Sequence, residues 1–468
     1  MSEPALDAPA PRAPERAALV EGHVAAVLTR LTWPMFGGLL AVISQPLIDT
    51  YFLGRLGLQQ LAAIQLILPV TFLMLSLTMG LGVATTAVLA RHIGAGQWGE
   101  GRAIVTYAHL LSASVMLAFS LLGFAFAGPV FRLLGADSAL MPLIESYMRV
   151  WLAGAFLLAL PMTGNACLRA HGEVAASSLV LILIAAGKLA FTPWLVFGGL
   201  GMPALGMAGA AWATIGANLI ASLLAFYVLG VRNGMFDVSP PSWPVLRRIW
   251  ARLLSIGAPT ALTNMITPLS AMLVNTILLR HGPDALAGFG VGNRIEALSM
   301  IVPFSLAISI VPFIGQNQAA GRIDRLHAAM RLALGFNFAF GAVLAIAIAF
   351  TATAIGALFS TDAPTIAATR AYLLAIPFSY GFYGALVILG MAFVALGNAT
   401  PNLMFSSTRL LLVYVPGAYL GNALFGYHGV LGAAALANVA AGALALYWYR
   451  RFFPRVPQTA AGVVDGLK

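Results

Sequence analysis

The chain has 468 residues, 60% of them apolar and only 9% charged, with a formal net charge of +10. Globular chains carry about 25% charged residues. No stretch here is polar enough for a soluble domain, and the arginines lie thinly between apolar runs, which fits membrane topology rather than nucleic-acid binding. The one cysteine, Cys167, excludes an internal disulfide and a cysteine-based metal cluster, and reads as a small buried apolar residue.

Residues 1–27 are rich in Ala and Pro with mixed charges (Arg12, Glu15, Arg16, Glu21). They lack the basic-then-apolar order of a cleaved signal peptide and read as a disordered cytoplasmic tail, as do residues 453–468. A helix needs about 20 apolar residues to cross the hydrocarbon. Twelve such runs follow, at 32–53, 60–86, 103–127, 141–166, 174–198 and 207–230, then at 254–279, 285–313, 326–350, 367–394, 401–422 and 429–449. The expected fold is therefore an all-α polytopic membrane protein. It has a first six-helix lobe over 28–230, a cytoplasmic linker over 231–250 (Asp237, Pro240, Pro241, Pro244, Arg247, Arg248) and a second six-helix lobe over 251–452.

The two halves repeat one another. Pro34, Ile48-Asp49-Thr50, Arg55, Gly57, Leu61-Ala62 and Ile93-Gly94 return as Pro259, Val274-Asn275-Thr276, Arg280, Gly282, Leu286-Ala287 and Ile314-Gly315. Gly172 keeps step with Gly397, and Gly209-Ala210-Ala211 with Gly432-Ala433-Ala434. With both termini inside, thirteen arginines fall on the inner side, from Arg91 and Arg102 to Arg455. Only Arg55, Arg132, Arg280 and Arg370 fall outside, the bias expected of a bacterial inner-membrane protein. Six spans per copy makes the repeats parallel, related by an axis along the membrane normal, an arrangement in which rocking lobes can expose a central site to each side in turn.

Several segments resemble the multidrug and toxic compound extrusion (MATE) family over residues 28–450. They are Gln45-Pro46-Leu47-Ile48-Asp49-Thr50 with Gly54-Arg55-Leu56-Gly57, Ile93-Gly94-Ala95-Gly96-Gln97, Leu168-Arg169-Ala170-His171-Gly172, Gly206-Met207-Ala208-Gly209-Ala210-Ala211 and Ile314-Gly315-Gln316-Asn317. Asn293-Arg294-Ile295-Glu296 resembles the branch named after DNA-damage-inducible proteins (DinF-like). The resemblance implies a V-shaped pair of lobes that exports amphipathic, often cationic compounds against inward H⁺ or Na⁺. Three positions depart from it. The span-5 Asn and Asp that join the span-1 Asp in a cation site correspond to Lys188 and Thr192, and the span-7 Glu of another branch corresponds to Thr267. The Na⁺ constellation is incomplete, which favours H⁺.

Charges inside spans are expensive and mark function by default. Asp49 lies about 24 Å along span 1 from Trp33, and Lys188 about 22 Å along span 5 from Glu173. The two therefore sit at similar depth, and an ion pair between them is expected, either as a coupling site or as a fixed packing element. Gln45, one turn before Asp49, shares its face. In the second half, Glu296 of span 8 is expected to pair with Arg409 of span 11, while Arg294, two residues from Glu296, needs another partner. Asn165, Asn264 and Asn275 either line a substrate pathway or bridge helices. His109 reads as a satisfied core histidine, and Pro46, Pro193, Pro268, Pro303 and Pro377 as bends.

No Walker A loop, dinucleotide fingerprint or metal-ligand cluster occurs, so neither an ATP-driven pump, a membrane enzyme nor a cofactor-bearing protein is expected. The leading expectation is a monomeric proton-coupled antiporter of small amphipathic molecules with no nucleic-acid partner. The rival is a flippase for lipid-linked or polyprenyl substrates, in which Lys188, Arg294 and Arg409 would hold pyrophosphate.

Overall fold

A computed structural model describes residues 19–453 except 200, 238, 240 and 241. The expected tails therefore fall outside the described residues over 1–18 and 454–468. Fourteen α-helices account for nearly all of the rest. They are α1 (Val24–Gly54), α2 (Leu58–Gly94), α3 (Trp98–Leu133), α4 (Met141–His171), α5 (Val174–Phe197), α6 (Gly206–Phe226) and α7 (Trp243–Leu278). The second half continues with α8 (Pro283–Ser299), α9 (Ile301–Ala319), α10 (Ile323–Phe359), α11 (Ala363–Ala375), α12 (Tyr380–Ala395), α13 (Thr400–Ser407) and α14 (Val415–Phe452). Many helices overrun the apolar runs that predicted them, because charged residues such as Arg91, Glu100 and Arg102 continue the helix past the hydrocarbon. α7 begins inside the stretch expected as linker, at Trp243, with Pro244 in its first turn, where a missing N–H leaves nothing unsatisfied.

Eleven helical stretches among the described residues are long and apolar enough to cross a bilayer. The longest, Thr400–Phe452, is two crossings. Gly426 within it has φ 58° and ψ −139°, a conformation open to glycine. Gly421 packs against Gly429, and Gly417 against Ala433. A straight helix would hold those pairs about 12 and 24 Å apart, so the chain doubles back and the total is twelve crossings.

Two expected spans are interrupted. Pro303 has no N–H for the carbonyl of Ser299 and its ring crowds that carbonyl, so the eighth crossing is split into α8 and α9 at Met300. Pro377 turns the tenth crossing into a 3₁₀ turn, Pro377–Ser379, between α11 and α12. The eleventh widens into a π-helical segment, Thr408–Tyr414, after α13.

The packing is that of a V. One buried core runs through both lobes at the end where α2 and α9 finish, joining Leu28, Ala87 and Val105 to Ile310, Phe313 and Ala392. Toward the other end the core divides in two. One part holds Ile64, Trp151 and Val196 of the first lobe, and the other Val274, Tyr372 and Val430 of the second. Small residues permit the shared contact. A Cβ on Gly80 of α2 would meet the Gly257 carbonyl of α7, and one on Gly94 would meet the backbone of Gln316.

A strap closes the same end. Leu19, fully buried, precedes α1 of the first lobe but is held by the second. Its N–H donates to Gln316 Oε1 (3.2 Å), and its carbonyl accepts from Asn317 Nδ2 (3.0 Å). Arg325 of α10 donates to the carbonyls of Gly22 (2.6 Å) and Glu21 (3.2 Å), and Gln316 Nε2 donates to Ala170 O of α4 (2.7 Å).

Candidate functional site: an ion pair in the first lobe and a tyrosine-lined charge cluster in the second

In the first lobe α1 packs along α5, which brings Asp49 and Lys188 face to face. Lys188 Nζ donates to Asp49 Oδ2 at 2.6 Å, with side-chain exposures of 5% and 4%. Pro46 precedes Asp49 by three residues, and Thr50 Oγ1 donates back to its carbonyl (2.9 Å). Gly187, beside Lys188, lets α6 approach at Ala217. Asp49 Oδ1 is buried and lacks a hydrogen-bond partner among the described residues.

The neighbours of this pair differ in part from the expectation. Thr192 is buried one turn past Lys188, but its hydroxyl proton goes to the Lys188 carbonyl (2.6 Å), so it serves its own helix. Gln45 is half-exposed on α1. Tyr147 of α4, which the sequence reading passed over, is buried within electrostatic range of Asp49.

In the second lobe the expected Glu296–Arg409 ion pair is not formed. Tyr372 OH of α11 lies 2.8 Å from Glu296 Oε2 and 3.0 Å from the side-chain amide of Asn293. Arg409 is buried with its guanidinium 4.0 Å over the Tyr383 ring, and it donates to Asn438 Oδ1 (3.0 Å). Asn438 Nδ2 donates to Ser379 Oγ (2.8 Å), which donates to the Ile376 carbonyl (2.7 Å), also the acceptor of the Ser379 N–H in the 3₁₀ turn (2.9 Å). The aromatic face and the amide satisfy the guanidinium without a carboxylate, though Glu296 and Arg409 remain within electrostatic reach. Arg294 is exposed on α8 and makes no ion pair among the described residues.

The sequence reading passed over the tyrosines that complete this cluster, Tyr372, Tyr380, Tyr383 and Tyr414. Tyr372 and Tyr383 lie eleven residues apart, three turns on one face, but the 3₁₀ turn between them could not be read from spacing.

The three asparagines divide. Asn165 is a bridge, not a cavity residue. It is buried, donates to the Ser177 carbonyl (2.8 Å) and accepts from Ser177 Oγ (2.9 Å), tying α4 to α5. Asn264 is half-buried and Asn275 exposed on α7. His109 is only half satisfied. Its Nδ1 meets the Val105 carbonyl (2.8 Å), but Nε2 is buried without a partner among the described residues, between Phe226 and Phe236. No cluster of three His, Cys, Asp or Glu side chains occurs among the described residues.

The geometry provides a buried carboxylate neutralised by one ammonium, and a second carboxylate held by a phenol. A family model described as MatE matches residues 34–194 and 259–420, one segment in each lobe. The chain belongs to the MatE family. A relative named FAD transporter, from Shewanella oneidensis, is 34% identical over 96% of this chain and 99% of its own. The probable multidrug resistance protein YoeA of Bacillus subtilis is 25% identical over 80% of this chain and 82% of its own. The Vibrio cholerae MATE transporter VcmN in its bent form superposes with a TM-score of 0.87 at 26% identity, covering 92% of this chain and 98% of that one. This MatE protein thus shares a two-lobed fold and full-length similarity with membrane transporters.

Proposed function

We propose that the protein is a proton-coupled exporter of the bacterial inner membrane. Both termini and the arginine-rich end would face the cytoplasm, and the monomer would work by alternating rocking of its lobes. The shared core at one end and the divided core at the other support an access state open away from the arginine-rich end. The domain organisation follows from the repeat, with lobes over 28–230 and 251–452 and a cytoplasmic linker between them.

The observation that carries the coupling reading is the Asp49–Lys188 pair, 2.6 Å apart between two spans, α1 and α5. A proton delivered to Asp49 releases the ammonium, and reformation of the pair releases the proton. Gln45 lies a turn away on the same helix face.

For the substrate, the charge balance favours an anion over a cation. Lys188 cancels Asp49, and the second lobe adds Arg294 and Arg409 against Glu296 alone. The full-length relative named FAD transporter points the same way. The reading is therefore export of a planar aromatic anion of the flavin dinucleotide class, in place of the cationic compounds expected from the family resemblance. Two relatives named for multidrug resistance or export support the wider drug reading.

Liposomes carrying the full chain, acid inside, test it. External flavin adenine dinucleotide should accumulate through the inverted copies, and a protonophore should abolish accumulation. Ethidium accumulation without flavin accumulation would replace the flavin reading with the cationic-drug reading.

A further inference from the structure

Three crossings of the second lobe lose regular α geometry, and all do so beside one cluster of ionisable side chains. The α8–α9 break at Met300 is four residues past Glu296. The break at Ile376 before Pro377–Ser379 is four residues past Tyr372. The π-helical segment Thr408–Tyr414 itself contains Arg409 and Tyr414. Irregular backbone at membrane depth is tolerated where it is buried in protein or lines a cavity. Broken helices and π-segments also concentrate at functional sites. In the first lobe, α1 and α5 pass Asp49 and Lys188 as continuous helices, and its π-segment, Tyr227–Arg232, lies at the arginine-rich end. The irregularity gathers around the second cluster, whose arginines the reading above counts toward substrate charge but whose Glu296 it gives no part in proton exchange.

The two carboxylates are held differently. Asp49 meets an ammonium directly, whereas Glu296, half-buried, is held by the Tyr372 phenol. Arg409 is within electrostatic reach but is kept by the Tyr383 ring and Asn438. Every element around Glu296 contributes to its setting. Tyr372 comes from α11, Tyr380 and Tyr383 from α12, Arg409 and Tyr414 from the π-segment, and Asn293 and Arg294 from α8 itself. In the apolar cluster that Tyr372 and Tyr380 join, α9 brings Phe304, α7 Val274 and Ile277, and α10 Ile348 and Ala352. Asp284, at the start of α8, is about 18 Å away along the helix, and Arg280 and His281 precede it. Tyr380 OH is buried without a partner among the described residues.

We propose that Glu296 is a second proton-binding site, separate from Asp49, and that its protonation resets the bends of the second lobe. With Glu296 ionised, Tyr372 donates to it and the Coulomb field of Glu296 holds Arg409 and the π-segment toward α8. A proton from water adds to a carboxylate oxygen, that field vanishes, and Tyr372 is free to turn to Asn293. The ties between α8, α11 and the π-segment change together, at the three points where the backbone is already irregular. The step moves only a proton and needs no other reactant. It extends the proton-exchange reading to the second lobe, but its test needs no transported solute, so either can fail alone.

The experiment is infrared difference spectroscopy of the full chain in liposomes during stepwise acidification. Wild type, Glu296→Gln, Tyr372→Phe and Asp49→Asn are compared, with a spin-label pair reporting the α8-to-π-segment distance. Wild type should show a protonated-carboxyl band absent from Glu296→Gln and retained in Asp49→Asn. The label distance should change with pH in wild type and Asp49→Asn, and stay fixed in Glu296→Gln. Tyr372→Phe, which keeps the ring and loses the donor, should move the band's midpoint. A Glu296→Gln spectrum that superimposes on wild type overturns the proposal. So does an unmoved midpoint in Tyr372→Phe, which decides the matter if Glu296→Gln does not fold.

Discussion

Lys188 satisfies one oxygen of Asp49 and leaves the other, Oδ1, buried without a hydrogen-bond partner among the described residues. A pair that served only packing would gain by satisfying both oxygens, because a partly satisfied buried charge is costly. The spare acceptor gives an arriving proton a place to bind without first displacing the lysine.

Asp49→Asn should abolish pH-driven accumulation while the protein still folds. The amide keeps the size and a hydrogen-bond acceptor for Lys188 but cannot take up a proton. Uptake in reconstituted liposomes measures the first claim and thermal unfolding the second. Gradient-driven export by the Asn variant would remove Asp49 from the coupling step.

Lys188→Met should cost about 3–5 kcal/mol of stability where Asp49 stays charged, the range for removing one partner of a buried pair. The loss should grow as the pH rises, because a lone buried carboxylate is tolerated only when protonated. Adding Asp49→Asn to Lys188→Met should recover most of the loss. Denaturation of the two single variants and the double variant across pH checks this, and a fully additive double variant would mean that the two side chains are not energetically coupled.

The twelve crossings, the repeat and the depth match of Asp49 with Lys188 were legible because each depends on length, periodicity or rise per residue, which sequence carries directly. Glu296 and Arg409 were also placed at compatible depth, yet they do not meet. Depth says nothing of which way a helix face turns, and the breaks at Met300 and Pro377 and the π-segment Thr408–Tyr414 each rotate the faces beyond them. Tyr383 and Asn438 took the guanidinium instead. The strap at Leu19 was read as part of a disordered tail because it is held through its own backbone N–H and carbonyls, which leave no mark in composition.

Transport should follow a pH gradient and ignore a Na⁺ gradient at fixed pH. Thr192 gives its hydroxyl proton to its own helix, and the Lys188 ammonium already occupies Asp49. A sodium ion about 4 Å from that ammonium would be repelled by roughly 4 kcal/mol at an effective dielectric near 20. Sodium-driven uptake with no response to protons would overturn the assignment of the coupling ion.

Arg325→Ala should loosen the arginine-rich end. It removes the donors to the Gly22 and Glu21 carbonyls, which tie the lead-in of the first lobe to the second, and the donor to Asn317 Oδ1 at 2.8 Å, which orients the amide that holds Leu19. Hydrogen bonds to a charged group contribute about 1.5–3 kcal/mol each, and a net change of about 1.4 kcal/mol is tenfold in a population ratio. Spin labels across the two lobes at that end should show a larger separated population in the variant, and a distribution identical to wild type would show that the strap does not hold the closed state.

Asp362 gives a pH-dependent contribution that can be separated from transport. It lies outside the spans, at the N-cap of α11, and accepts from Thr365 N (3.0 Å) and Thr365 Oγ1 (2.8 Å). These bonds favour the carboxylate and hold its pKa below the usual value of 3.8. A group whose folded pKa is depressed stabilises the fold above its unfolded pKa, and that stability is lost as the pH falls through the folded value. Asp362→Asn keeps a capping oxygen but cannot titrate, so its stability should fall less steeply than wild type on acidification below about pH 4. Asp362→Ala should be less stable than either at neutral pH, since it loses the cap altogether. Thermal unfolding of the three proteins across acidic pH checks the order, and parallel wild-type and Asn curves would show that the carboxylate adds nothing beyond its capping oxygen.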